Sequence, residues 1–495
     1  MLWLALELPS LPLQIAERGG ASRIPMVISE GPGQRPWVAC ANAAARDAGV
    51  REGQAVAAAK ALAGDMKVAG RDPAAERETL ERIAAWAGQF TPMVAIETQG
   101  IVMEVESSLR LFRGHARLTA AVRKGIREMG FHASLGLAPT PLAARLFARA
   151  ESQGRAMRSC LSSQELRDRI ADLPIFLLDW PEKTLAHLTD LGVLRLRDIL
   201  ELPAEGIARR FGPGIVLSLD RLLGRTADPR EPFVPPPRFR ARLELPAEVE
   251  NIEALLFPLR RMLVEMEGFL RGRGCGVQHL ELLLDQGRKA RTTIALDFAS
   301  PEREAEFILG IAREKLGRIE LSSAAFAMSL RAEALLPFTP RSSTWLPGAQ
   351  EQAIGRDRLL QRLAARLGKE RVFGIALADD HRPEKAWEEN RGQSLFLLPQ
   401  NSGTVSNATV PNRTVPNRPT WLLNRPHRLI AADGGPSYQG SLTLRAGPER
   451  IEAGWWDGEE VRRDYYVATN PRGEAYWIYR EHRDPSAWYL HGIFS

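Results

Sequence analysis

Cysteine is scarce in this chain: Cys40, Cys160 and Cys275 are the only three among 495 residues. They are odd in number, far apart and form no CxxC pair. That excludes a disulfide framework or a cysteine-built zinc site as the basis of the fold, and a reducing, cytoplasmic setting is expected. No run of 18 or more apolar residues occurs, so no membrane-spanning helix is expected. The opening MLWLALELPSLPLQ is apolar, but it has no basic start and carries Glu7, Pro9 and Pro12, so it does not read as a secretory signal. Residues 31–36, GPGQRP, lack the GK[ST] of a phosphate loop, and no G-x-S-x-G elbow is found. The eight histidines are scattered, and Asp379-Asp380-His381 reads as a surface turn. No cofactor and no metal are expected.

What is present is a globular composition, 44% hydrophobic and 25% charged. The length exceeds what one core supports, so about three to five domains are expected. A net charge of +6 permits a nucleic-acid partner without requiring one. The first 160 residues alternate strand and helix patterns. Asp72-Pro73 marks a helix start, with the aspartate as N-cap and the proline in the first turn. Residues 173–224 read as short helices broken by WPEK, LGV, LPAEG and FGPG, and Pro235-Pro236-Pro237 as a stiff linker. Beyond it, patterns at 240–245, 252–270, 277–285, 292–298, 302–316 and 325–335 give a β-α-β-β-α-β order, a sheet with helices on one face. A helix is expected over 357–367, closed by Gly368. The repeat TVSNA, TVPNR, TVPNR over 404–418 is too polar and proline-rich to bury a core. Residues 420–495 alternate like strands and are rich in aromatics.

Four segments carry a resemblance. Residues 41–62, ANAAARDAGVREGQAVAAAKAL, resemble the fingers segment of the Y-family (UmuC/DinB-like) translesion polymerases. Residues 90–114, FTPMVAIETQGIVMEVESSLRLFRG, resemble the palm segment of that family. Residues 134–148, SLGLAPTPLAARLFA, are similar to its S-x-G-I-A-x-N-K-x-L-A-K stretch. Residues 173–203 are similar to its helix-hairpin-helix thumb. The four agree in order and spacing over roughly residues 1–340. The resemblance implies an α+β multidomain right hand. Its expected parts are a palm (1–25 and 76–165), fingers (26–75), a thumb (166–232) and a little-finger β-α-β-β-α-β domain (238–338). A clamp-motif, helix and linker region (339–419) and a small β-rich, partner-binding module (420–495) would follow.

The departures define the expected function. Two Mg²⁺ ions held about 3.5–4 Å apart need anionic oxygen ligands. The family supplies an Asp on the first strand and an Asp-Glu pair on a later one. Here the first position is read as Leu6, with Glu7 turned to the other face, and the pair as Gln99-Gly100. Glu104 alone does not make a two-metal site. The fingers Tyr and Glu become Ala43 and Ala44, and the Lys of the N-K pair becomes Pro141. Arg46, matching a triphosphate-binding Arg, reads as a vestige or a structural ion pair. This combination resembles the ImuB-type branch, a set of inactive polymerase homologues. HRPEKAW at 381–387 and the stretch from GPERIEAGWWDGEE through WYLHGIFS resemble the C-terminal signature of that branch.

The implied role is a non-catalytic adaptor in damage-induced mutagenesis and the SOS response. Its implied partners are DNA, the replication sliding clamp, an error-prone C-family DNA polymerase and a RecA-like companion. Candidate DNA contacts are Lys183, Arg195 and Arg197 in the thumb, and Arg271, Arg273, Arg288, Lys289, Arg291, Thr292 and Thr293 in the next domain. Candidate clamp motifs are SSTWLPG, with Trp345 and Leu346, and GQSLFLLP, with Gln393, Leu395 and Phe396. The terminal aromatics read mostly as the core of a small β module. Two alternatives stand beside the adaptor. One is an active polymerase using Glu7 and Glu104, and the other a damaged-DNA-binding protein without a clamp partner.

Overall fold

The computed structural model describes residues 1–18, 24–33, 35–157, 159–287, 291–321, 323–338, 349–390, 418–419, 421–432 and 435–494. The chain divides into two compact units, Met1–Arg366 and Leu367–Ser495. The expected 339–419 region is therefore split between them.

The first unit begins with β1 (Trp3–Glu7) and α1 (Leu11–Glu17), a helix opened by Pro12 that the sequence reading did not separate from the strand. Next come β2 (Met26–Glu30), β3 (Trp37–Ala41), α2 (Ala43–Asp47), α3 (Val56–Leu62) and β4 (Lys67–Gly70), a small sheet in the order β3-β2-β4. The helix α4 (Pro73–Ala87) starts as expected, with the Asp72 carboxylate accepting from the N–H groups of Ala74 and Ala75. It leads to β5 (Val94–Glu97), β6 (Gly100–Glu104), α5 (His115–Glu128), β7 (Ser134–Ala138) and α6 (Pro141–Ser152). These strands form an antiparallel sheet in the order β5-β6-β1-β7.

Alternation along β1 gives this sheet two different faces. Leu4 and Leu6 point into a core shared with α4 and α5. Trp3 and Ala5 point into a second core. That second core is shared with α6 and with α7 (Ser163–Ala171), α8 (Glu182–Asp190), α9 (Leu196–Leu200), α10 (Ala204–Phe211) and α11 (Pro213–Leu222). Burial of apolar side chains on both faces, at about 25 cal/mol per Å², is what joins the helices to the sheet.

The expected β-α-β-β-α-β order is present as β8 (Phe239–Val249), α12 (Ile252–Gly272), β9 (Cys275–Asp285), β10 (Arg291–Glu302), α13 (Ala305–Leu316) and β11 (Ala325–Ala332). Strands pair in the order β10-β9-β11-β8, with the two-residue β12 (Leu336–Pro337) on β9. The helix α14 (Ala349–Leu367) is longer than expected, and its Arg358 pairs with Glu302 and Glu304 beside α13.

The second unit holds a hairpin of β13 (Gly374–Leu377) and β14 (Trp387–Asn390). It continues with β15 (Trp421–Arg428), β16 (Ile430–Ala432), β17 (Gly435–Ser437), β18 (Thr443–Ala453), β19 (Val461–Thr469), β20 (Ala475–Glu481) and β21 (Asp484–Ile493). Five of these make one sheet, β15-β21-β20-β19-β18. Among the described residues no helix is long and apolar enough to cross a membrane.

Candidate functional site: a neutralised carboxylate cluster

The face of the first sheet that carries Glu7 converges on an arginine. Glu7 stands directly opposite Gly100 in the β1–β6 register, so both lie on one face. The expectation had put Leu6 at the metal-facing position and turned Glu7 away. In the structure Leu6 is fully buried among the leucines under α4 and α5, and Glu7, 2% exposed, is the carboxylate on Gly100's face.

Arg145 of α6, 6% exposed, fills the space in front of Glu7. Its Nε donates to Glu7 Oε1 at 2.9 Å, Nη1 to Glu97 Oε2 at 2.9 Å and Nη2 to Asp179 Oδ2 at 3.3 Å. Arg149, one helical turn on, lies 3.2 Å from Asp179 and 3.7 Å from Glu7. From the segment after α11, Arg230 pairs with Glu97 at 2.7 Å and Asp228 at 2.5 Å, and Arg221 lies 3.9 Å from Asp228. Burial works against the charge on Arg145, but Glu7 and Glu97 outweigh it and hold the guanidinium above its usual pKa. Burial likewise opposes the charge on Asp179, and Arg149 and Arg145 outweigh it, lowering that carboxyl's pKa.

Four carboxylates thus face four guanidinium groups, and no anionic surplus is left to neutralise a divalent ion. No group of three or more His, Cys, Asp or Glu side chains able to hold a metal exists among the described residues. At position 100 the strands are so close that a Cβ would come within 1.9 Å of the Leu6 carbonyl oxygen. Gln99 is exposed in the turn between β5 and β6. Glu104 shares Glu7's face but pairs with Trp3, four residues along the strand. That places it about 13 Å away, and its carboxylate accepts from its neighbour Glu106's N–H.

The cleft between the small sheet and the first sheet has a volume of about 290 Å³. Glu30, Glu52 and Glu76 line it, and Arg71, the one arginine lining it among the described residues, is held by Glu30 and Glu76. A triphosphate would meet net negative charge there. Arg46 is exposed and donates to the Ala41 carbonyl at 2.6 Å.

The candidate nucleic-acid contacts are mostly already partnered. Arg195 and Arg197 each lie 3.3 Å from Asp172. The N–H groups of Leu194 and Arg195, in the α8–α9 hairpin, donate to Asp198. Arg271 pairs with Glu267, Arg273 donates to the carbonyls of Pro235 and Pro236, and Arg291 pairs with Asp285. The Thr292 hydroxyl donates to Gln286. Lys183 and Thr293 are exposed. The α10–α11 hairpin differs. Gly212, at φ +88°, precedes an α11 N-terminus with no side-chain cap, and Arg209 and Arg210 beside it are exposed without an ion-pair partner among the described residues. The FGPG signal marked this turn, but the reading passed over the two arginines before it. Arg288, Lys289 and both candidate clamp motifs, with Trp345, Leu346, Gln393, Leu395 and Phe396, lie outside the described residues.

In the second unit, the two C-terminal signature stretches meet. Arg382 of HRPEKAW, almost fully buried, pairs with Asp457 of GWWDGEE at 2.6 Å, and Lys385 reaches Asp457 and Glu459. Tyr465, Tyr466, Tyr476 and Trp477 are buried as core, as expected, whereas Trp455 and Trp456 are 76% and 53% exposed. The buried His491 ring sits 2.7 Å from the Tyr465 hydroxyl. Burial depresses its pKa, and the nearby Glu384 offsets this only in part. The folded unit therefore holds His491 neutral while the unfolded chain protonates it below about 6.5. Stability of residues 367–495 is expected to fall by up to about 1.4 kcal/mol per pH unit as pH drops from about 6.5 toward the folded value. A His491→Gln variant followed by thermal unfolding should lack that slope.

The impB/mucB/samB family matches residues 16–149. Protein ImuB of Caulobacter vibrioides is 26% identical over 481 residues, covering 90% of this chain and all of that protein. DNA polymerase IV of Dehalococcoides mccartyi is 28% identical over 194 residues, 38% of this chain and 48% of that protein. Among solved structures, DinB from Sulfolobus solfataricus superposes with a TM-score of 0.39 at 16% identity, over 68% of this chain and all of that one. The chain is thus similar to protein ImuB over that relative's full length, and its residues 16–149 match the impB/mucB/samB family.

Proposed function

We propose that this chain is a Y-family scaffold that has given up nucleotidyl transfer and serves as a DNA- and clamp-binding adaptor in damage-induced mutagenesis, in the cytoplasm. In this reading the first sheet is the palm, the small sheet with α2 and α3 the fingers, α7–α11 the thumb, and the β8–β11 domain the little finger. The observation that carries it is Arg145. A guanidinium sits among Glu7, Glu97 and Asp179, where a catalytic palm would need uncompensated carboxylates. The test is primer extension by the purified chain with Mg²⁺ or Mn²⁺. No product is expected, and templated synthesis would overturn the reading. The alternative of an active site built on Glu7 and Glu104 needs ligands of one metal pair to span about 13 Å.

DNA contact, sequence-independent and salt-dependent, is assigned first to the α10–α11 hairpin. Its backbone N–H groups and arginines are not already taken by carboxylates. An Arg209→Ala/Arg210→Ala variant is expected to weaken duplex binding and to lower the slope of log K against log salt by roughly 2. Arg195→Ala/Arg197→Ala is expected to change both less, because Asp172 already neutralises that pair. Fluorescence anisotropy across a salt series reads both.

Capture of the sliding clamp is assigned to one of the two linear motifs. Loss of clamp pull-down in Trp345→Ala/Leu346→Ala or in Leu395→Ala/Phe396→Ala identifies which. Capture unchanged in both removes both assignments, and no capture by the unaltered chain favours a DNA-binding protein without a clamp partner. The C-terminal unit is proposed to receive the C-family polymerase and the RecA-like companion.

A further inference from the structure

The long helix α12 of the second sheet domain meets α4 and α5 behind the first sheet at a spacing that excludes side chains. A Cβ on Gly268 would come within 2.1 Å of the Trp86 ring, and one on Gly125 of α5 within 2.4 Å of the same ring. A Cβ on Gly272 would lie 2.8 Å from the Gly88 backbone. The two cores interlock there. Ala85 of α4 belongs to the core of the second sheet domain, and Val264 of α12 packs on the core behind the first sheet.

Glu265 is buried at the centre of this contact, 1% exposed. It forms an ion pair with Arg18, at the end of α1, and lies 3.5 Å from Arg82 of α4. Arg18 is buried too; its Nε donates to the Met129 carbonyl at 3.0 Å, and its guanidinium lies 4.6 Å from the centre of the Phe131 ring. Arg261 of α12 donates to the Arg18 carbonyl. Arg82 also donates to the Arg242 carbonyl on β8. Burial, with Arg82 adding to it, pulls the Arg18 pKa below its usual value against the pull of Glu265. One carboxylate thus answers for two guanidinium groups, Arg18 and Arg82, and breaking such a buried pair leaves charge stranded in an apolar junction.

We propose that Glu265 is a latch that fixes the β8–β11 domain to the back of the first sheet, so that the two move as one rigid body and residues 226–238 do not act as a hinge. The α7–α11 region packs on the opposite face of that sheet. Adjustment to a bound duplex therefore falls to α7–α11 and not to the β8–β11 domain. The inference does not depend on whether the chain is catalytic.

The test is a distance measurement by pulsed electron–electron spin resonance on the full chain, with spin labels at Lys124→Cys and, on α13, Arg313→Cys in a Cys275→Ser background. The unaltered junction is expected to give one narrow distance that persists when duplex DNA is added. Glu265→Gln is expected to lose the single narrow distance while the C-terminal unit still melts normally. Gly268→Leu wedges the helices apart without touching the ion pair and is expected to do the same. A broad distribution in the unaltered chain, a shift on adding DNA, or a narrow distance retained in both variants would each overturn the proposal.

Discussion

Replacing Arg145 with alanine is expected to lower the unfolding free energy of the first unit by about 3–5 kcal/mol, because it leaves Glu7 buried without its hydrogen-bonded partner, with only Arg149 at 3.7 Å to offset the charge. The effect should exceed that of losing a surface pair such as Arg77–Glu81, whose net worth is about 0–1 kcal/mol. The Glu7→Gln/Arg145→Met double variant removes both charges and keeps similar volume. It is expected to regain most of the lost stability, since apolar or neutral replacements of a whole buried pair are often tolerated. Urea unfolding midpoints for the single and double variants make the comparison. Equal losses in both would show that Arg145 does not act as the counter-charge of Glu7.

Writing an acidic pair back into the strand, as Gln99→Asp with Gly100→Glu, is expected to yield neither Mg²⁺ binding nor primer extension. Two obstacles stand in the way. At residue 100 a Cβ would meet the Leu6 carbonyl oxygen at 1.9 Å, a backbone contact that no rotamer relieves. Overpacking of that kind costs about 1–3 kcal/mol. In front of the strand, Arg145 and Arg230 already hold the neighbouring carboxylates. Isothermal titration with Mg²⁺ and a primer-extension gel would check both halves. Metal binding by this variant with Arg145 intact would mean that the guanidinium is readily displaced.

Several parts of this architecture were legible because the signals are local. Asp72-Pro73 fixes a helix start through one carboxylate and one ring, and the structure shows both at work. The β-α-β-β-α-β domain follows from successive changes of hydrophobic period between 239 and 332. The site was harder. A strand's alternation says that Leu6 and Glu7 point apart, but it does not say which face is apolar. Only the helices packed behind Leu6 decide that. Arg145 lies 138 residues from Glu7 in sequence, and Arg18 lies 247 from Glu265. No spacing rule connects either pair. The DNA candidates Arg195, Arg197, Arg271 and Arg291 rest on charge and on their place in the resemblance, and neither reveals that a carboxylate stands beside each.

The interlocking of four acids with four bases also limits how this cluster can change. Glu7 and Arg145 are buried and each is held by other members, so changing either alone leaves a poorly matched charge in the interior. Drift within the cluster is therefore confined to exchanges that keep the charges matched.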